Sequence, residues 1–88
     1  MERTVTVVPE DGLHARPAAK FVETANEYDA DVRVAPTDGD PVDATSMLAV
    51  SSLGVASGDD VRILAEGDEA EAALDALEDL LSTPETEA

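Results

Sequence analysis

Thr4-Val5-Thr6-Val7-Val8-Pro9-Glu10-Asp11-Gly12-Leu13-His14-Ala15-Arg16-Pro17-Ala18 is the stretch in which the hydrophobic period changes, and that change sets the fold. Thr4 to Val8 alternates β-branched residues at period two, the pattern of a half-buried strand, and Pro9 to Gly12 supplies residues that break it. From Ala18 onward, Ala18, Phe21, Val22 and Ala25 recur at i, i+3, i+4 and i+7, which places them on one face of a helix. Pro17 suits the first turn of that helix, because an N–H there would have no intrahelical acceptor. A strand therefore hands over to a helix through a loop that carries the single histidine of the chain.

Outward from this stretch, Asp31 to Ala35 alternates again around Val32 and Val34. Pro36 to Pro41, with Gly39 inside, reads as a hairpin loop leading to a short strand over Val42 to Ala44. Thr45 or Ser46 can cap a short helix, Met47 to Leu53, that Gly54 ends. After a loop, Val61-Arg62-Ile63-Leu64-Ala65 makes a fourth strand, punctuated by Gly67-Asp68. Asp68 is a natural N-cap with Glu71 three residues on, and Ala70, Ala73, Leu74, Leu77, Leu80 and Leu81 stripe the last helix. The order βαββαβα predicts an α+β fold: a four-stranded antiparallel sheet with three helices on one face and the other face open to solvent. The 88 residues make one domain, ordered over about 2–82, with an acidic tail at 83–88 expected to fray.

Composition narrows the function. Twenty-one acids against five bases give a formal net charge of −16, which repels nucleic acid and anionic lipid. Disorder is excluded by 43% hydrophobic residues in clear periodic patterns. Such a surface reads instead as adaptation to a salt-rich cytoplasm, where self-repulsion is screened within about 3 Å at 1 M ionic strength. With no cysteine, disulfides and thiolate metal sites are impossible, and one histidine with scattered carboxylates makes no zinc ligand set. No apolar run approaches the roughly 18 residues of a membrane span, and the N-terminus lacks a signal-peptide core, so a soluble cytoplasmic monomer is expected.

Gly12-Leu13-His14-Ala15-Arg16-Pro17 is the segment able to carry chemistry. It sets a histidine directly before a helix start, where unpaired N–H groups and the positive dipole end form an anion site. Arg16 adds a permanent charge with a planar fork suited to phosphate oxygens, and a neutral imidazole is a competent nucleophile near pH 7. These parts fit a phosphohistidine. Spacing alone leaves open a plain alternative, in which His14 is an incidental capping or solvent-facing residue and Arg16 a surface charge. A Gly-rich phosphate loop, which a kinase or nucleotide hydrolase needs, is missing from the sequence, and a carrier that borrows its partners' groups fits better.

The run Gly12 to Ala18 resembles the active-site signature of the HPr family, the phosphocarriers of the phosphoenolpyruvate-dependent sugar phosphotransferase system. A second run, Ser46-Met47-Leu48-Ala49-Val50-Ser51-Ser52-Leu53-Gly54, is similar to that family's regulatory serine and the short helix after it. The resemblance extends from about Thr4 to Leu81 and implies the family's open-faced β-sandwich. It implies that His14 accepts a phosphoryl group on Nδ1 from enzyme I and passes it to a IIA component of a sugar permease, with fructose a candidate sugar. It further implies that Arg16 and the backbone at Ala15, Arg16 and Pro17 hold the phosphoryl group at the helix start. Lys20, Phe21, Met47 and Leu48 would be the partner contacts. No cofactor is implied, and no turnover by the chain alone. Ser46 would be either a regulatory phosphosite, as in Gram-positive relatives, or simply the helix cap, which serine performs unaided.

The chain also departs from the family. Lysines that usually form a basic rim along the first helix and beside the second are replaced by Glu23, Asn26 and Ala49, and Ser51 stands for a larger apolar residue. Electrostatic steering onto a partner should therefore be weak, or reversed, at low salt, which puts exchange with bacterial partners in doubt. Two rival readings remain: a carrier feeding a dihydroxyacetone kinase subunit or a regulatory relay, and a docking module with an idle His14. Docking alone would require neither His14 nor Arg16.

Overall fold

A computed structural model describes residues 1–84 of the chain. Its elements run β1 (Glu2–Thr6), α1 (Ala15–Asn26), β2 (Asp31–Pro36), β3 (Val42–Asp43), α2 (Met47–Ser51), β4 (Asp60–Glu66) and α3 (Ala70–Ser82). The four strands form one sheet in the order β1-β4-β2-β3, and every neighbouring pair is antiparallel. Since β1 and β2 both run against β4, they are parallel to each other with β4 between them. β1-α1-β2 is thus a split β-α-β unit, and β3-α2-β4 is a second one around β2.

Alternation along the strands decides which face the helices cover. Val5 of β1, Val32 and Val34 of β2, and Val61, Ile63 and Ala65 of β4 are all buried. They meet Ala18, Phe21 and Ala25 of α1, Val50 of α2, and Ala73, Leu74, Leu77 and Leu81 of α3. The opposite face carries Glu2, Thr4, Thr6, Asp31, Arg33, Asp60, Arg62 and Glu66 and is open. Arg3, at the sheet edge, reaches Asp75 at 2.5 Å and Glu78 at 3.0 Å on α3, which holds its guanidinium above its ordinary value, first through the hydrogen bond to Asp75.

The expected order of elements and one-sided layering are found; several boundaries differ. β1 occupies Glu2–Thr6 rather than Thr4 to Val8, because its partner β4 starts only at Asp60. Val7 and Val8 instead bond to the loop before β4 and to the end of α3, through Val7 N–H to Asp59 at 2.8 Å and Val8 N–H to Leu81 at 2.8 Å. α1 starts at Ala15, which leaves Pro17 in its first turn as expected. α2 closes at Ser51, short of Leu53. Asp68 does not cap α3: the N-cap is Glu69, whose carboxylate accepts the Asp29 N–H at 2.7 Å while its own N–H donates to the Asp29 carbonyl at 3.1 Å. A tertiary partner outcompetes the local cap. Of the tail at 83–88, Thr83 and Pro84 are described and 85–88 lie outside the described residues.

The loop between β1 and α1 is fixed by backbone contact. Gly12 has φ +66°, and a Cβ there would run into the Val55 carbonyl oxygen and the Ala56 Cα. Leu13 N–H donates to that same Val55 carbonyl at 3.0 Å, and the Leu13 side chain is buried. Two residues on, Ala15 has φ +50°, the one non-glycine residue in the left-handed region among the described residues. Gly12→Ala is expected to lower stability by about 2 kcal/mol or more through clash and strain together. Ala15→Val should cost about 1–2 kcal/mol and Ala15→Gly should be near neutral. Denaturant titration in high salt reads all three, and equal stability of the valine and glycine variants would show that position 15 is unstrained.

The entry to α2 is also tied locally. Asp43 accepts the Thr45 hydroxyl at 2.7 Å and the Thr45 N–H at 2.9 Å, and these bonds, the hydroxyl first, hold its carboxyl below the usual range. A folded-state value below the unfolded one means that this stabilisation is complete above the unfolded value and is lost as pH falls through the folded one. Asp43→Asn should therefore flatten part of the acid limb of stability below about pH 4 and leave the neutral limb parallel to wild type, as pH-dependent melts would show.

Candidate functional site

His14 is the N-cap of α1, with extended backbone at φ −133° and ψ 170°, and its side chain makes no capping hydrogen bond. The ring is therefore uncommitted at the place where aspartate or serine would reach forward to the amides of the first turn. Those amides can be accounted for singly. Position 17 is proline and has no N–H, and Ala18 N–H donates to the His14 carbonyl at 3.3 Å. That leaves Ala15 and Arg16, whose N–H groups donate to no acceptor among the described residues. Two unpaired amides and the positive end of the helix dipole thus lie next to the half-buried His14, and Arg16, two residues on, is exposed. Pro17 sits buried at the third helical position and shapes the turn, but it contributes no donor of its own.

The remaining candidates divide. Lys20 lies one turn beyond Arg16 on the same side of α1, and both are exposed. Together they line a groove of about 340 Å³ between the start of α1 and the end of α3, with Pro17, Asp79, Leu80 and Thr83 among its walls. Met47 and Leu48 stand at the start of α2, 41% and 80% exposed, and α2 packs on α1. Phe21 does not join them. It is completely buried, pointing from α1 into the core, and the expectation that it contacts partners is corrected: it holds the helix that carries the site. Ser46 is the N-cap of α2, its Oγ accepting the Ala49 N–H at 3.2 Å, which is the capping arrangement expected of serine.

Two features of the site escape the periodic reading of the sequence: the left-handed Ala15 and the close approach of Gly12 to Val55-Ala56. Gly12 is visible there only as a breaker. Its partner is more than 40 residues away in sequence, so only the folded chain shows the contact. Among the described residues no group of three or more His, Cys, Asp or Glu side chains is placed to hold a metal ion.

Comparison with known proteins places this geometry. The family model for the PTS HPr component phosphorylation site matches residues 1–83. The chain is 72% identical to the phosphocarrier protein HPr of Haloferax volcanii over 86 residues, covering 97% of each chain. It is 44% identical to the HPr of Streptomyces coelicolor over 81 residues, covering 92% of this chain and 87% of that one. The crystal structure of a phosphocarrier protein HPr from Bacillus anthracis superposes with a TM-score of 0.88 at 40% identity, covering 92% of this chain and 95% of that one. The open sheet with helices on one face is the fold of these proteins. The site assembled around His14 therefore lies within a chain that belongs to the HPr family of the phosphotransferase system, whose members work with enzyme I and IIA components as phosphoryl carriers and not as enzymes with turnover.

Proposed function

We propose that His14 takes a phosphoryl group on Nδ1 from enzyme I and gives it to a IIA component of a sugar permease. The observation that carries this reading is the uncapped N-cap histidine followed by two unpaired amides and an arginine. With the ring proton on Nε2, the Nδ1 lone pair attacks phosphorus; the P–Nδ1 bond forms as the bond from phosphorus to the donor's leaving atom breaks. The new phosphoryl oxygens then accept from the Ala15 and Arg16 amides and the Arg16 guanidinium, which takes over the capping role that the free imidazole leaves unfilled. Transfer onward reverses these events with the acceptor as nucleophile, so the chain returns unchanged.

The local donors stabilise the phosphoryl group without burying it, as a carrier requires: the group has to be held, yet remain open to attack from a second protein. Lys20, Met47 and Leu48 form the contact surface beside it. Ser46 serves as the cap of α2, and its substitution tests that assignment apart from the chemistry. The chain acts as a monomeric single domain in a salt-rich cytoplasm; the −16 charge and the likeness to a Haloferax protein support this.

With phosphoenolpyruvate and a competent enzyme I in molar salt, the wild type is expected to gain one acid-labile phosphoramidate, seen by mass and phosphorus NMR, and His14→Ala none. Arg16→Gln should keep the label but slow its formation by about tenfold to a hundredfold. Ser46→Ala should be labelled at the wild-type rate while losing about 1 kcal/mol of stability. Label that persists in His14→Ala would refute the assignment. Adding a IIA component and a dihydroxyacetone kinase subunit in separate reactions, and following which one removes the label, identifies the acceptor.

The net charge makes a separate demand on stability. Repulsion among the carboxylates opposes the compact state, and salt screens it. The melting temperature is expected to rise steadily from millimolar to molar KCl; a flat series of thermal melts would defeat the salt-adaptation reading.

A further inference from the structure

The five bases of the chain stand against 21 acids, and three of the five are already engaged. Arg3 pairs with Asp75 and Glu78. Arg62 approaches Glu2 at 4.0 Å and donates to the Gly39 carbonyl at 3.1 Å, and Arg33 lies close enough to Asp43 to help hold its carboxyl down. Arg16 and Lys20 form no ion pair among the described residues, although acids are so abundant. Lys20 is moreover the only lysine of the chain. Both line the groove between the start of α1 and the end of α3, and among the described residues on its walls Asp79 is the single acid.

A charge count shows what such a lysine can do. A phosphoryl group brings close to two negative charges, whereas Arg16 supplies one full positive charge and the amides of Ala15 and Arg16 only partial ones. Lys20 lies four residues beyond Arg16, a rise of about 6 Å along the helix, and long side chains on a helix lean back toward its start. A four-carbon stem spans that rise and can carry the ammonium to the level of Arg16. We infer that Lys20 is a second cation for the phosphoryl group on His14: its ammonium donates to a phosphoryl oxygen beside Arg16, and Asp79, on the same groove, competes for it. This inference rests on the carrier reading and adds a residue that sets how firmly the group is held, a task distinct from contact with a partner.

The test is the equilibrium of the transfer, because a contact that only guides docking speeds or slows both directions alike and leaves their ratio untouched. Phosphorylated enzyme I of the same organism, freed of phosphoenolpyruvate, is mixed with the full chain in about 1 M KCl, where charges more than about 3 Å apart are largely screened and contact pairs persist. The labelled fractions of both proteins, read by mass at neutral pH once they stop changing, give the exchange constant. Lys20→Gln is expected to shift it about threefold to tenfold against the labelled chain, and Lys20→Arg to keep it within about twofold of wild type. Asp79→Asn should shift it about twofold the other way, by removing the competitor. Both positions are exposed, and thermal melts in the same buffer show whether the variants fold alike. A Lys20→Gln chain with the wild-type constant overturns the inference even if its labelling slows, since a slower rate alone marks a docking contact. An equal loss in Lys20→Gln and Lys20→Arg also overturns it, because the charge would then not be what matters. If the wild type takes no label from a competent donor, the carrier reading itself falls.

Discussion

The backbone of Gly12 and Leu13 lies directly against that of Val55 and Ala56, and the site depends on this contact more than on any feature of His14 itself. It fixes the point at which the chain leaves the β1 side of the molecule and turns into α1. It also ties the loop before α1 to the loop after α2, so that the start of α1 and the end of α2 are joined to one anchored strip of backbone. Magnitudes show why it holds. A left-handed alanine costs about 1–2 kcal/mol. Against this stand the burial of Leu13 and Val55, each contributing about 1.5–3 kcal/mol, and the Leu13–Val55 hydrogen bond, contributing about 1 kcal/mol. The packing exceeds the strain, and Ala15 keeps a conformation that turns its N–H and that of Arg16 away from internal acceptors.

Much of this fold is legible in the sequence because its layers have opposite periods. Val32 and Val34, or Val61 and Ile63, alternate; Ala18, Phe21, Val22 and Ala25 do not; and the switch between them locates each element without any knowledge of contacts. What the period cannot show is where an element stops, since that depends on a distant partner. Val7 and Val8 look like strand, yet β4 offers no residue opposite them. Asp68 looks like a cap, yet Glu69 has the Asp29 backbone to bond with. At the site, residue types and the helix start are readable, whereas the left-handed Ala15 is not, because alanine advertises no such conformation. Phe21 shows a different limit: resemblance between signatures suggests proximity to the partner surface, and only burial reveals which side of the helix the ring occupies.

Charge raises the remaining question, since a phosphoryl group adds close to two negative charges to a chain that already carries −16. Range decides the outcome. In the proposed carrier, Arg16 and the two amides would act at hydrogen-bond distance, where salt screens little, while most of the carboxylates lie elsewhere, on the open sheet face, in the loops and on α3. At molar salt the Debye length is about 3 Å, so the distant repulsion fades and the contact donors remain. At low salt the balance tilts toward the distant charges, both for the phosphoryl group and for an incoming protein. On the carrier and salt-adaptation readings, the same acids that keep the surface hydrated would make high salt favourable for phosphoryl loading.

Conservation of the phosphoryl bond then follows from the shape of the site rather than from enclosure. His14 is half-buried at the helix start, and in the proposed carrier the donors come from backbone and one arginine, so nothing would need to close when the group arrives or to open when it leaves. A small fold suffices because each partner protein supplies its own half of the transfer geometry. In turn, a surface that meets partners has to give up water readily, and residues 12–22 and 44–58 carry none of the acids of the chain. On the carrier reading, the chemistry at His14 and the lack of acids in these two segments would both serve one requirement, that the phosphoryl group be handed over between protein surfaces.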